Sequence, residues 1–183
     1  TLTVNQADIA TASVASIPNQ TYTGSAITVS PTVTYNSTTL SETTDYTLSY
    51  TNNTNVGTAT ILFTGIGNYT GTKTVSFTIV KAQPIIRFEA ISGSVGDDIA
   101  LTATSSSTAA ITYTISDGSL GSISGSTLSL QATGTTQITA SQVSNTNYLA
   151  ATATTTLTVN QADIASASVA SIPNQTYTGS AIT

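Results

Sequence analysis

Residues Thr1–Thr28 read TLTVNQADIATASVASIPNQTYTGSAIT and recur as Thr156–Thr183, TLTVNQADIASASVASIPNQTYTGSAIT. At the offset of 155 the two copies differ at one position in 28, where Thr11 becomes Ser166. Self-similarity at a fixed period is the mark of a tandem array. The 183 residues are therefore expected to be one period plus an overlap, with both ends falling inside a repeat. In such arrays each unit closes its own core and gains stability from the neighbours it touches.

Composition narrows the fold. Charged residues are 6% of the chain, against roughly a quarter in ordinary soluble domains. The polar surface falls instead to 41 Thr and 25 Ser. Threonine favours strands because its branched Cβ fits the pleat, while its hydroxyl keeps an outer face wet. Disorder, the competing reading of a Ser/Thr-rich chain, conflicts with a hydrophobic content of 39% arranged in regular alternation. No stretch carries a helical period. An all-β chain is predicted.

The same composition excludes several functions. The net charge is −5, and only Lys73, Lys81 and Arg87 are positive, so the electrostatic basis for nucleic acid or anionic lipid is missing. No apolar run approaches the ~18 residues of a membrane span. With no Cys and no His, disulfides, soft metal ligands and the usual general base are absent together.

Two polar joints divide the period: Asn5-Gln6-Ala7-Asp8, repeated at Asn160–Asp163, and Lys81-Ala82-Gln83-Pro84. The expected layout follows from them. Residues 1–7 are the last strand of a preceding second-type module with its joint. Residues 8–81 are a first-type module, 82–160 a second-type module, and 161–183 the start of another first-type module. Either full module has the size of a small β-sandwich. In the first, Tyr46, Leu48 and Tyr50 alternate with Thr47 and Ser49; Ala59, Ile61 and Phe63 share a face, as do Val75, Phe77 and Ile79. In the second, Ile86, Phe88 and Ala90 are predicted to share a face, Gly93–Asp98 to turn, and Gly134 to break the chain before Gln137–Val143. Each module carries an Asn-Tyr pair, Asn68-Tyr69 and Asn147-Tyr148, just before its last strand.

These words are similar to known families. Ile17-Pro-Asn-Gln-Thr-Tyr-Thr-Gly24, Asp45-Tyr-Thr, Asn53-Thr-Asn-Val-Gly-Thr-Ala59 and Gly67-Asn-Tyr-Thr-Gly-Thr72 resemble the bacterial immunoglobulin-like repeats of large surface proteins and adhesins. Ile111-Thr-Tyr-Thr, Ser124-Gly-Ser-Thr-Leu128, Ile138-Thr-Ala-Ser141 and Asn145-Thr-Asn-Tyr148 resemble a second such family. The resemblance implies tandem immunoglobulin-like β-sandwich modules in an extended array, at a bacterial cell surface, serving as an extracellular fibre or adhesin stalk. Partners would be neighbouring repeats and other copies; any glycan or receptor stays unnamed. Some bacterial surface domains join Lys to Asn covalently. By that analogy Lys73 or Lys81 is a candidate, but both read better as solvated lysines.

Candidate sites are few. The carboxylates are Asp8, Glu42, Asp45, Glu89, Asp97, Asp98, Asp117 and Asp163. Two facing carboxylates are the least a glycosidase requires. Since Asp8 and Asp163 are repeat equivalents and several others adjoin turns, no catalytic residue is assigned and no enzyme is expected. Asp97-Asp98 after Gly96 offers oxygens to calcium, but roughly six are needed, and a solvated turn is the preferred reading. Asp8 and Asp163 bring one carboxylate to each joint. No metal or cofactor residue is assigned. Asn19, Asn36, Asn52, Asn68 and Asn174 match a glycosylation pattern that a Thr-rich chain produces by composition. A carbohydrate-binding module is the alternative function, and an exposed row of tyrosines would support it; Tyr46, Tyr50 and Tyr113 lie on apolar faces and read as core.

Overall fold

The computed structural model describes residues 2–166 and Thr176. Most of the expected final segment, residues 161–183, lies outside them, as does Asn174. By compactness the chain divides into two units: residues 1–88, 103–112 and 140–153, and residues 89–102, 113–139 and 154–183. The fold is all-β.

In the first unit the nine-residue strand Gly57–Gly65 is central. It lies antiparallel to Tyr46–Thr51 on one side and to Thr72–Val80 on the other, and Gln20–Thr21 adds in parallel beyond the latter. Period-2 alternation sends Ala59, Ile61 and Phe63 inward, each fully buried, with Phe77 and Ile79 from the neighbouring strand. Outward stand Thr58, Thr60 and Thr64, with register partners such as Thr47 and Thr72 beside Thr64, and Thr51 and Ser76 beside Thr60. Apart from Leu62, the result is a charge-free hydroxyl face. The opposing sheet places Val33–Tyr35 between Ser13–Val14 and Thr38–Thr39. Its Val33 joins the same core.

Two local devices shape this unit. Asp8 caps the 3-10 turn Ile9–Thr11, its Oδ1 accepting the Ala10 amide at 3.0 Å, and the turn drops Ile9 fully into the core. The hairpin Val33–Tyr35 to Thr38–Thr39 reverses through Asn36 (φ 46°) and Ser37 (φ 64°), a two-residue turn with both centres left-handed. Asparagine tolerates that region; serine does so at a cost. Ser37→Gly is therefore expected to stabilise the chain by about 0.5–1 kcal/mol, read as a higher urea midpoint; an unchanged or lower midpoint contradicts the strain.

The second unit contains the three-stranded sheet Asp98–Ala100, Thr127–Leu130 and Gly121–Ser124. It also holds Ile91–Ser94, which pairs in parallel with the end of Ala151–Asn160: Leu157 opposite Ile91 and Val159 opposite Gly93. The four-stranded sheet runs in the order Ile91–Ser94, Ala151–Asn160, Gly134–Gln142, Ile111–Ile115. Leu128, Ile138 and Leu157 are fully buried.

Three sequence expectations change. Ile86, Phe88 and Ala90 do not share a strand face: the strand stops at Arg87 and Ala90 is exposed. Ile86–Arg87 pairs antiparallel with Thr104–Ser105, and the chain then departs to pair in parallel with the last strand. Gly93 and Ser94 belong to that second strand, so the turn is narrower than 93–98 and centres on Val95 and Gly96, whose φ is 94°. Gly134 opens a nine-residue strand rather than interrupting one.

The segments 7–80 and 82–160 nevertheless follow one pairing scheme. Ala7 bridges Tyr69 in parallel, Ser13–Val14 pairs antiparallel with Val33–Tyr35, and Gln20–Thr21 pairs in parallel with the end of Thr72–Val80. Ala82 bridges Tyr148 in parallel, and the antiparallel and parallel pairings of Ile86–Arg87 and Ile91–Ser94 come in the same succession.

Candidate functional site

The segment Asn145–Tyr148 is held by a dense set of hydrogen bonds, and all its partners belong to the first compact unit. Asn145 folds it: its backbone amide donates to the Tyr148 carbonyl at 3.0 Å, and its Oδ1 accepts the amides of Asn147 (3.0 Å) and Tyr148 (2.9 Å). Asparagine forms such side-chain turns readily. The joint residue Ala82 locks on, donating to Asn147 O at 3.0 Å and accepting from the Leu149 amide at 2.9 Å. Below it Gln142, 3% exposed, donates to the carbonyls of Ser107 and Ala109 and accepts from Ser105 Oγ. Among the described residues no buried side-chain polar atom lacks a partner.

The turn then reaches the loop Asn53–Val56. Asn147 Oδ1 accepts the Val56 amide at 3.1 Å, and its Nδ2 donates to Asn55 Oδ1 at 3.0 Å. The Tyr148 ring meets Tyr22 edge-on, with centroids 5.3 Å apart at 83°. Edge-to-face geometry is favourable for aromatic pairs. Asn53 anchors the loop by donating to Ile27 O and accepting from Ile27 N. Removing the carboxamide by Asn147→Ala leaves the part-buried Val56 amide without its acceptor and breaks the exposed bond to Asn55, so a loss of about 1–3 kcal/mol is expected in urea unfolding. A loss below ~0.5 kcal/mol makes these two bonds ornamental, since that is the size of an ordinary surface change.

A groove of about 330 Å³ lies along this cluster, lined by Tyr22, Ser106, Thr108, Asn145, Asn147 and Tyr148 among others. The carboxamides of Asn145 and Asn147 point into protein partners, so the wall is held together rather than displaying free donors. None of the seven described tyrosines is exposed. The exposed aromatic row that a carbohydrate module would use is therefore not present among them.

The sequence-marked carboxylates form no common site among the described residues; Asp8, Asp45, Asp97, Asp117 and Asp163 hold turns, whereas Glu42 and Asp98 bond side chains of other segments. Asp45 Oδ2 accepts Ser41 N at 2.8 Å, Asp97 Oδ2 accepts Ser94 N at 2.7 Å, and Asp98 Oδ1 accepts Ser129 Oγ at 2.5 Å. Glu42 accepts Ser30 Oγ at 3.1 Å, and Asp163 Oδ1 accepts Ala165 N at 2.8 Å. Asp117 accepts both the hydroxyl (2.7 Å) and the amide (2.9 Å) of Ser119, and these bonds lower its pKa. Among the described residues no three carboxylates gather into a metal-binding group. Lys73 donates to the Ala10 carbonyl at 2.9 Å. The sequence signalled the Asn-Tyr pair by its repetition in both modules; it gave no sign that Asn55 and Tyr22 would be the partners.

Burial, and then the Glu42 carboxylate, raise the pKa of Tyr46 and of Tyr50, whose hydroxyl donates to Val29 O at 2.7 Å. The neutral form is thus favoured in the fold, and the unfolded chain loses these protons first. That stability is fully present below the ordinary tyrosine pKa near ~10 and is lost as pH rises through the higher folded values. The sequence has no His or Cys, the side chains whose ordinary pKa lies nearest neutrality. Urea midpoints should stay level from about pH 6 to 9 and fall above about pH 10, and Tyr50→Phe should soften that fall. A fall of the same steepness in Tyr50→Phe would sink the assignment.

The fold and this cluster define a chain of strand-built sandwich modules whose polar groups serve its own architecture. No family model matches the chain, and no curated protein does. Solved structures resemble it. Surface layer protein SbsC, domains 4–9, aligns over 86% of this chain and 31% of its own, at 15% identity and a TM-score of 0.38. Protocadherin gamma B7 extracellular cadherin domains 1–4 align over 79% and 49%, at 13% identity and 0.36. Titin domains z1z2 in complex with telethonin align over 88% and 100%, at 17% and 0.32. The chain thus spans less than a third of the first structure and about half of the second. No residue role is carried across from them.

Proposed function

We propose that this chain is one period, with overlaps, of a non-enzymatic structural array: an extracellular fibre or adhesin stalk of a bacterial surface. Its modules are residues 8–81 and 82–160, with 1–7 closing a preceding second-type module and 161–183 opening another first-type one. The observation that carries the reading is the duplicated segment seen in two states. Leu157 and Val159 are 0% and 3% exposed, while their copies Leu2 and Val4 are 91% and 85% exposed and take no strand. The copy at Thr156–Asn160 shows TLTVN buried as the last strand of a second-type module, the place the array reading gives to residues 1–5.

The surface supports the same reading. A hydroxyl face with few charges gives reach without chemistry, and the bonds from Asn147 to Val56 and Asn55 oppose hinging where the proposed modules meet. Alternating unlike modules keeps identical sequences apart during folding, which limits mispairing of neighbours. The test is a chain lengthened by one further copy of residues 1–155, imaged by electron microscopy. Contour length should grow by the same increment with each added period. Compaction into a globule of fixed length would refute the array.

A further inference from the structure

Resting on the array reading, we infer that the loop 131–133 is the docking point for the Asn68-Tyr69 pair of the following period, with the Thr133 amide donating to the Asn68 side-chain oxygen. The joint between periods thereby reuses a bond that the joint within the period already displays.

The bond to be reused is that of Asn147, whose Oδ1 accepts the Val56 amide at 3.1 Å. Val56 directly precedes Gly57, which opens a nine-residue strand at φ 143°. Thr133 directly precedes Gly134, which opens a nine-residue strand at φ 152°. The two strands hold equal places in their sheets. Gly57–Gly65 lies between Tyr46–Thr51 and Thr72–Val80, and Gly134–Gln142 lies between Ile111–Ile115 and Ala151–Asn160. Counted from the glycine, Ile61 coincides with Ile138 and Phe63 with Ala140, and all four are fully buried. Thr133 is thus the counterpart of Val56. Val95 is likewise the counterpart of Tyr22, since their amides bond the last-strand carbonyls of Asn160 and Val80 at 3.0 and 2.9 Å.

The acceptor has its counterpart too. The backbone carbonyls of Asn68 and Asn147 accept the amides of Ala7 and Ala82, each at 3.0 Å, and the tyrosine after each asparagine bridges that alanine in parallel. The Asn147 carboxamide is engaged with Val56 and Asn55. Among the described residues the Asn68 carboxamide and the Thr133 amide have no partner, and both residues are exposed. A backbone amide is an obligatory donor, and a carboxamide oxygen is the acceptor this position takes at the other joint. It is the equivalence of positions that assigns the contact. Two further partners are not reproduced: Val95 stands where Tyr22 meets Tyr148, and Ala132 where Asn55 takes the second carboxamide bond. The joint between periods keeps the backbone bond without the aromatic pair, and is the less constrained of the two.

The test uses the chain lengthened by one further copy of residues 1–155, with only its first period isotopically labelled so that those amides are read alone by NMR. Hydrogen exchange at the first period's Thr133 should be slower than in the parent chain by about ten-fold or more. Asn68→Ala in the second period should restore the parent rate. The same substitution in the first period, where no complete second-type module precedes it, should leave the slowing intact. In the parent chain Asn147→Ala should release the Val56 amide by a similar factor. Equal Thr133 exchange in the two chains, slowing that survives Asn68→Ala in the second period, or a Val56 amide indifferent to Asn147→Ala overturns the inference. Unslowed exchange in a chain whose contour length grows normally sinks the docking alone and spares the array; compaction of the lengthened chain sinks both.

Discussion

Leu157→Ala is expected to lower unfolding stability by about 2–5 kcal/mol, and Leu2→Ala to change it by less than about 0.5 kcal/mol. The two residues occupy the same place in the same sequence repeat. Leu157 is fully buried in the strand Ala151–Asn160, beside Ile91 on the parallel partner strand, so truncation removes its transfer free energy and leaves a cavity. Leu2 is 91% exposed and truncation opens no cavity. Urea unfolding of the two variants beside the parent decides the matter. Equal losses at both positions would mean that Leu2 is packed in solution, and the contrast that supports the array reading would disappear.

Phe63→Ala is expected to cost about 3–5 kcal/mol, a large fraction of the ~5–15 kcal/mol that holds an ordinary domain folded. Phe63 is fully buried at the middle of the first unit's larger sheet. Its ring lies 5.6 Å from that of Tyr46, tilted at 53°, and its strand neighbours are Leu48 and Lys73. The loss should be much larger than for Leu62→Ala one position away, since Leu62 faces outward and is 38% exposed. Comparable losses at 62 and 63 would mean that the outer face is also covered in solution.

Strand content was readable because alternation is a local property. Tyr46, Ala59, Ile61, Phe63, Phe77 and Ile79 all point inward as their spacing indicates. Where the reading slipped, a non-local pairing was responsible. Ile86 and Ala90 belong to segments that serve different partners, one antiparallel with Thr104–Ser105 and the other running into the parallel strand Ile91–Ser94. Hydrophobic spacing does not mark such a change of sheet. Gly134 looked like a break, yet its backbone opens a strand at φ 152° with Leu120 packed where a Cβ would stand. The Asn-Tyr cluster was half legible: the repeated pair was visible, but Asn55 and Tyr22 lie 92 and 126 positions from Asn147 and Tyr148.

The repeat separates the two levels directly. Asp8 and Asp163 begin words that differ here only in Thr11 against Ser166, and each caps a 3-10 turn by accepting the amide two residues on, at 3.0 and 2.8 Å. That local form needs only the residues in it, and the sequence by itself determined it in both places. Burial needs neighbours: Ile9 is fully enclosed and its counterpart Ile164 is 87% exposed, as Leu157 is enclosed and Leu2 is not. Side chains leave water only where the rest of a sandwich surrounds them, and that enclosure is what the tertiary structure alone decided.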